Sequence, residues 1–282
     1  MKNKLYKSVL FIFILSAFSC SNNADKDEFE SDEETSLSTT ESKIDAQQIF
    51  NTLPDRKLVL GLIEENQLQY NPDYLNDPTI KNKYTVEFFK AINLGIYGTD
   101  LSIASAFDQS QESMIFLKCV NSLAGQLGVN SAFDQTLFDR IETNKNNKDS
   151  VLQLVSGAFK QVDEILKTSH RSGTSATILS GCWIEGLYVS CIMANEARST
   201  SVIKAIVKQK ISLNSLIDVL EKIQLAENTK FVLDDLKSLC DDFTIAETAT
   251  EYNTQTIENI SKKIIALRTK IVNADSLSMT TG

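Results

Sequence analysis

Proline is nearly absent from this chain, and that limits its folding options more than any other feature. The 282 residues hold three prolines, Pro54, Pro72 and Pro78, and ten glycines. Apolar residues recur at three- and four-residue spacing, while alternating patterns bounded by turn dipeptides are missing. The first period belongs to helices and the second to strands. The sequence therefore predicts an all-α protein, an antiparallel multi-helix bundle. Helices are expected over 44–53, where Pro54 stops the first, and over about 55–66. Others are expected near 84–107, 111–127, 131–143, 149–168, 174–196, 200–211, 213–226, 229–245 and 254–273. The segment "YNPDYLNDP" reads as an ordered loop, because its prolines and Asn/Asp residues favour turns. "TSHRSGTS" breaks the pattern, with Gly173 as the expected break point. Short connections favour antiparallel neighbours.

The N-terminus carries a different signal. Lys2, Lys4 and Lys7 precede an apolar run from Val9 to Leu15, and Ser16, Ala17 and Ser19 lead up to Cys20. A charged start, a short apolar stretch and a small-residue cut site describe a bacterial secretory signal. The run falls short of the roughly 20 residues that span a bilayer. A cysteine at the cut is the lipoprotein pattern, so residues 1–19 are expected to be removed and the thiol of Cys20 acylated. Each buried methylene then contributes about 0.8 kcal/mol, and several chains together anchor stably. The expected location is the cell envelope, on the outer membrane, with the membrane as a partner through Cys20.

Residues 20–42 follow as a tether. Ser21 to Ser42 contain eight acidic residues and one lysine, with little apolar surface to offset the entropy of ordering. Charge narrows the partners. Without the three leader lysines the net of −9 becomes −12; the tether holds −7 of that, and about −5 falls on residues 43–282. A mildly acidic body without a basic stripe argues against nucleic acid. No segment after the leader is expected to be long and apolar enough to cross a bilayer.

Residues 43–282 form the expected helical domain. A weak repeat runs through it: Gly95 and Tyr97 fall against Gly181 and Trp183, and "IETNKNNKDSVLQL" resembles "IQLAENTKFVLDDL". Pseudo-repeated halves over 84–168 and 174–245, each a four-helix unit, would account for both.

The candidate site residues lie on two apolar helices. Asp100 has Ile96, Tyr97, Ile103 and Ala104 at helical spacing, and Glu185 has Gly181, Cys182, Tyr188 and Val189. A carboxylate on a buried helix is costly unless it is paired. Two readings stand open. In one, Asp100 and Glu185 share an internal cleft as acid and base; in the other, each is a structural carboxylate with a basic, hydroxyl or amide partner. Gly95, Gly98, Gly181 and Gly186 weaken these helices by about 1 kcal/mol each, an arrangement that suits close backbone approach. Tyr97, Trp183 and Tyr188 are candidate ligand-binding residues, with core packing as the alternative. His170, the sole histidine, stands beside Arg171 at an expected helix end, where cations complement exposed carbonyls. Cys119, Cys182, Cys191 and Cys240 are expected as buried thiols. No P-loop, nucleophile elbow, zinc-ligand spacing or calcium loop is present, so no metal and no cofactor are expected.

The combination "AINLGIYGTDLS", "ETNKNNKDS" and "GCWIEGLY" resembles a group of exported, all-helical lipoproteins of Bacteroidota whose function is uncharacterised. The resemblance spans Tyr84 to Cys191 and weakens afterwards. It implies a lipid-anchored helical body in the cell envelope and supplies no substrate or catalytic residue. Three functions follow as expectations: a non-enzymatic module binding a ligand or an envelope protein, an enzyme built on Asp100 and Glu185, or a small-molecule binding protein accessory to an outer-membrane transporter.

Overall fold

The computed structural model describes residues 56–274. The leader, Cys20, the acidic tether and the helix expected over 44–53 lie outside them. Among the described residues there is no β-strand. The helices are α1 (Arg56–Glu65), α2 (Glu87–Ala106), α3 (Ser110–Gln126), α4 (Gln135–Asn144), α5 (Lys148–Thr168), α6 (Ser172–Ala197), α7 (Thr200–Val207), α8 (Lys210–Leu220), α9 (Phe231–Glu247) and α10 (Glu258–Asn273). The loop before α2 is ordered by two 3-10 turns, Pro72–Tyr74 and Pro78–Ile80, which Asn71 and Asp77 cap through their side chains.

Sharp turns come from left-handed residues. Gln67, Asp108, Gly128 and His170 all have positive φ. After each, the next amide reaches back across the helix end, Leu68 to Ile63, Gln109 to Ala104, Val129 to Ala124 and Arg171 to Leu166, at 2.7–3.1 Å. This is the Schellman termination. The break expected at Gly173 therefore falls at His170, and Gly173 lies buried inside the first turn of α6. The helix expected over 131–143 is likewise split, because Asp134 turns away and caps α4 by accepting from the Leu137 amide.

Helices α2 and α6 form the centre. Most residues of both are buried, on every side of each helix. A helix apolar all round must be enclosed. Helix α2 packs against α3, α5 and α10, and α6 against α5, α7, α8 and α10. By length and composition α6 could cross a membrane, against the expectation that no such segment follows the leader. Within the fold 72 % of its most apolar stretch is buried. Its polar residues do not break the packing, since Thr177 and Ser180 donate to the Gly173 and Ala176 carbonyls of their own helix. Asp163 of α5 is buried too, held by Ser175 at 2.5 Å and Lys167 at 2.7 Å. Cys119, Cys182, Cys191 and Cys240 are free thiols, the first and third buried and the others half-buried.

The two central helices run parallel and touch through their backbones. Glu87 meets Thr174 near their starts, and Thr99 donates to the Cys182 carbonyl further along. Between these, a Cβ on Gly95 would lie 2.0 Å from the Ile178 oxygen and 2.7 Å from the Cys182 nitrogen. A Cβ on Gly181 would lie 1.9 Å from the Ile92 oxygen and 3.2 Å from the Ile96 nitrogen. The two contacts are copies of each other, because an offset of 86 residues carries Ile92, Gly95 and Ile96 onto Ile178, Gly181 and Cys182. Gly98 serves differently, with the Phe159 ring resting on its Cα. At the helix starts, Arg171 bonds Glu87 at 2.7 Å and the Leu127 carbonyl at 2.8 Å.

Alanine at Gly95 or Gly181 must push a backbone away, and overpacking of this kind costs about 1–3 kcal/mol or more. Gly157, with nothing within 4 Å of its Cβ position, is the control. Gly157→Ala should gain up to about 1 kcal/mol from helix propensity, so urea melts of the three variants should move in opposite directions.

Candidate functional site

Beyond the glycine crossing, the same two helices bring Asp100 and Glu185 together. Both are fully buried, and their carboxyl groups are in hydrogen-bond contact. Glu185 is held by Arg268 of α10 in a bidentate pair, from Nε to Oε2 and from one terminal nitrogen to Oε1, each at 3.0 Å. The guanidinium also lies over the Tyr188 ring, 4.6 Å from its centroid, an arrangement that adds cation–π attraction. Asp100 has no such cation. Its Oδ2 accepts from the Asn76 amide at 3.2 Å, and its Oδ1 has no donor.

One cation between two touching carboxyls permits one negative charge. Burial, and then the charge on Glu185, push Asp100 well above the usual aspartate range. Burial raises Glu185 as well, but Arg268 on both of its oxygens opposes the rise. The proton therefore belongs to Asp100, and the cluster is neutral: Arg268 positive, Glu185 negative, Asp100 uncharged. Arg268 itself is held up by Glu185 in spite of its burial. This neutrality is what makes two carboxyls tolerable in the core.

The second feature is a cleft of about 670 Å³, bounded by α1, α2, α5, α6 and α7. Leu68, Ile103, Phe107, Val155, Leu187 and Ile206 give it an apolar wall. Trp183 faces it while buried, and its indole Nε1 has no hydrogen-bond partner. Gln209, also on the wall, has an unpartnered buried amide oxygen. Ser102 is already committed to the Gly98 carbonyl. Cys182 lines the cleft as a thiol that burial pushes up to about 12, so it is a poor nucleophile. Gly186 opens onto this space, with nothing within 4 Å of its Cβ position. The close backbone approach expected of four glycines thus holds for Gly95 and Gly181, while Gly98 admits the Phe159 ring and Gly186 admits nothing.

The candidates separate accordingly. Asp100 and Glu185 meet, yet neither lines the cleft, and full burial leaves no path for a substrate to their oxygens without parting the helices. Tyr97 is core: its hydroxyl donates to the Asp77 carbonyl at 2.7 Å and its ring lies 6.4 Å from Phe116. Tyr188 packs on Arg268 instead of a ligand space. Trp183 alone of the three faces the cleft, with its ring centroid 6.4 Å from that of Phe243. No three His, Cys, Asp or Glu side chains gather as metal ligands among the described residues.

No family model, curated protein or solved structure matches this chain.

Arg268, Asn76, Lys160 and Gln209 were not anticipated. Arg268 had a visible signal, since it stands between Ile264 and Ile271 on the apolar stripe of α10, where a cation needs a buried partner. Asn76 contributes only its backbone amide, which no side-chain pattern announces.

Removing the guanidinium with Arg268→Met strands the Glu185 charge, and stability should fall by about 3–5 kcal/mol in urea melts. Asp100 tests the proton. An unfolded aspartate titrates near 3.8, and the folded group titrates higher, so the folded state holds the extra proton between the two values. Its stabilising effect is complete below the unfolded value and is lost as pH rises through the folded one. Asp100→Asn keeps an acceptor for Asn76 and a donor for Glu185 without titrating. Its stability relative to the wild type should therefore rise from about pH 4 to pH 8; a constant difference would contradict the assignment.

Proposed function

We propose that the protein is an exported, lipid-anchored binding protein of the bacterial cell envelope, held by acylated Cys20 and taking a small apolar ligand in the cleft between α2, α5, α6 and α7. One observation carries the binding reading. The cleft is about 670 Å³ with a wall of aliphatic and aromatic side chains, Trp183 among them. Ligand sites are concave and mostly apolar, with a few polar groups that orient the guest, and fall in the range of about 300–1,000 Å³.

Gly186 supports the same reading. A glycine in the middle of a 26-residue helix is unfavourable, and this one has no backbone to admit; its missing side chain enlarges the cleft. The anchor rests on the leader sequence and on Cys20. A transporter in the outer membrane is the class of envelope partner that a tethered carrier of apolar molecules would serve.

Trp183 is the sole tryptophan of the chain, so intrinsic fluorescence reports directly on the cleft. Titration with an uncharged apolar guest such as N-phenyl-1-naphthylamine should alter Trp183 emission in the wild type. Gly186→Leu should weaken that binding at least about tenfold, in line with about 1.4 kcal/mol per decade, while leaving stability unchanged or higher. Unaltered binding in a folded Gly186→Leu protein would remove the cleft as the site. For the anchor, the N-terminal peptide from native membranes should carry acyl chains on Cys20, and Cys20→Ala should move the protein to the aqueous fraction.

A further inference from the structure

The C-terminal end of α1 crosses the cleft. Leu62 and Ile63 of this helix, and Leu68 just beyond it, stand in the wall. Its polar residues reach both flanking helices. Glu64 pairs at 2.9 Å with Lys148, the first residue of α5. Asn66 accepts at Oδ1 from the hydroxyls of Ser199 and Ser201, the second at 2.9 Å, where α7 begins. Leu152 and Val155 follow Lys148 along one side of the cleft, and Val202 and Ile206 follow Ser199 along the other. One turn of helix therefore bridges the two sides at the end from which α5 and α7 both start.

This bridge is lightly held. None of residues 61–68 is buried, in contrast with most of α2 and α6. Ile63 rests on Ala106 and Leu152, apart from the main core. The Glu64 and Lys148 side chains are 64 % and 29 % exposed, and such a pair adds little in water. The fastening at Asn66 consists of neutral hydrogen bonds, each of modest net value. Further along, the chain is fixed. The Tyr70 ring meets Phe107 at 5.8 Å, the Tyr74 hydroxyl donates to Glu196, and the Asn76 amide donates to the buried Asp100. Between bridge and fixed part lie Gln67, left-handed at φ 51°, and the non-helical stretch 68–71. A segment with little burial, joined to rigid structure on one side, opens at lower cost than the core it covers.

We propose that α1 is a strap over the cleft, lifting about residues 67–71 to admit an apolar guest and refastened by Asn66 on Ser199 and Ser201. Such a gate rests on the binding reading above, since it regulates the same cleft. More frequent opening speeds entry and release together, so a gate shows in the rates and much less in the affinity.

Hydrogen exchange on the full chain reads the strap without any guest. The amides of residues 66 and 68, bonded to the Leu62 and Ile63 carbonyls, should exchange at least about a hundredfold faster than those inside α2 and α6. Asn66→Ala should speed them by a further factor of about three to ten and leave exchange in the core as it was. Ser201→Ala, which keeps Asn66 and the Ser199 cap of α7, should act in the same direction more weakly. Stopped-flow binding of N-phenyl-1-naphthylamine to these variants should show association and dissociation both faster by the same factor, with affinity changed less than about twofold. Exchange of residues 66 and 68 in step with the core, or unaltered guest rates in a variant whose strap exchanges faster, would overturn the gate while leaving the cleft a binding site. If the wild type takes up no guest at all, the binding reading fails and the gate falls with it.

Discussion

Two backbones in contact set the rest of this structure. At Gly95 and Gly181 the central helices approach until the carbonyl oxygens of Ile178 and Ile92 occupy the places where side chains would stand. Dispersion and weak Cα–H···O contacts act at that distance, and neither helix can slide without driving a side chain into the other's backbone. Register between α2 and α6 is thereby determined. Everything placed on these helices, the carboxyl pair one or two turns further along and the cleft beside them, takes its position from that crossing.

The same pair of helices supports two unlike environments. Toward α10, a protonated Asp100 stands beside Glu185, whose charge the Arg268 guanidinium balances. Toward α5 and α7, Trp183 and Gln209 line the cleft, and each carries a buried polar atom without a partner. The first is a charge-balanced polar cluster in the core, and the second is a concave apolar space.

Fold class was legible because helical periodicity runs through almost the whole chain and few prolines interrupt it. The positions of the breaks were less so. Gly173 invited a break by composition, but the turn was made by His170, which adopts a left-handed conformation while the buried start of α6 absorbs the glycine. Asp100 and Glu185 stood out as carboxylates on apolar stripes, and a stripe reports burial. What it cannot report is the partner across the interface, so Arg268 and the amide of Asn76 came only with the tertiary arrangement. The role of Gly186 was hidden for a related reason: a glycine that admits a neighbour and one that leaves a hole look alike in sequence, and only the space around the Cα tells them apart.

Arg268 has a further consequence through its place in the chain. Asp100 and Glu185 both precede it, and the counter-ion they need arrives with the last described helix. A polypeptide that has been delivered only as far as α9 holds its two acids without a cation, and the favourable course for it is to keep the central helices apart and wet. Docking of α10 then works as a latch, closing the interior only once nearly all of the described chain is present.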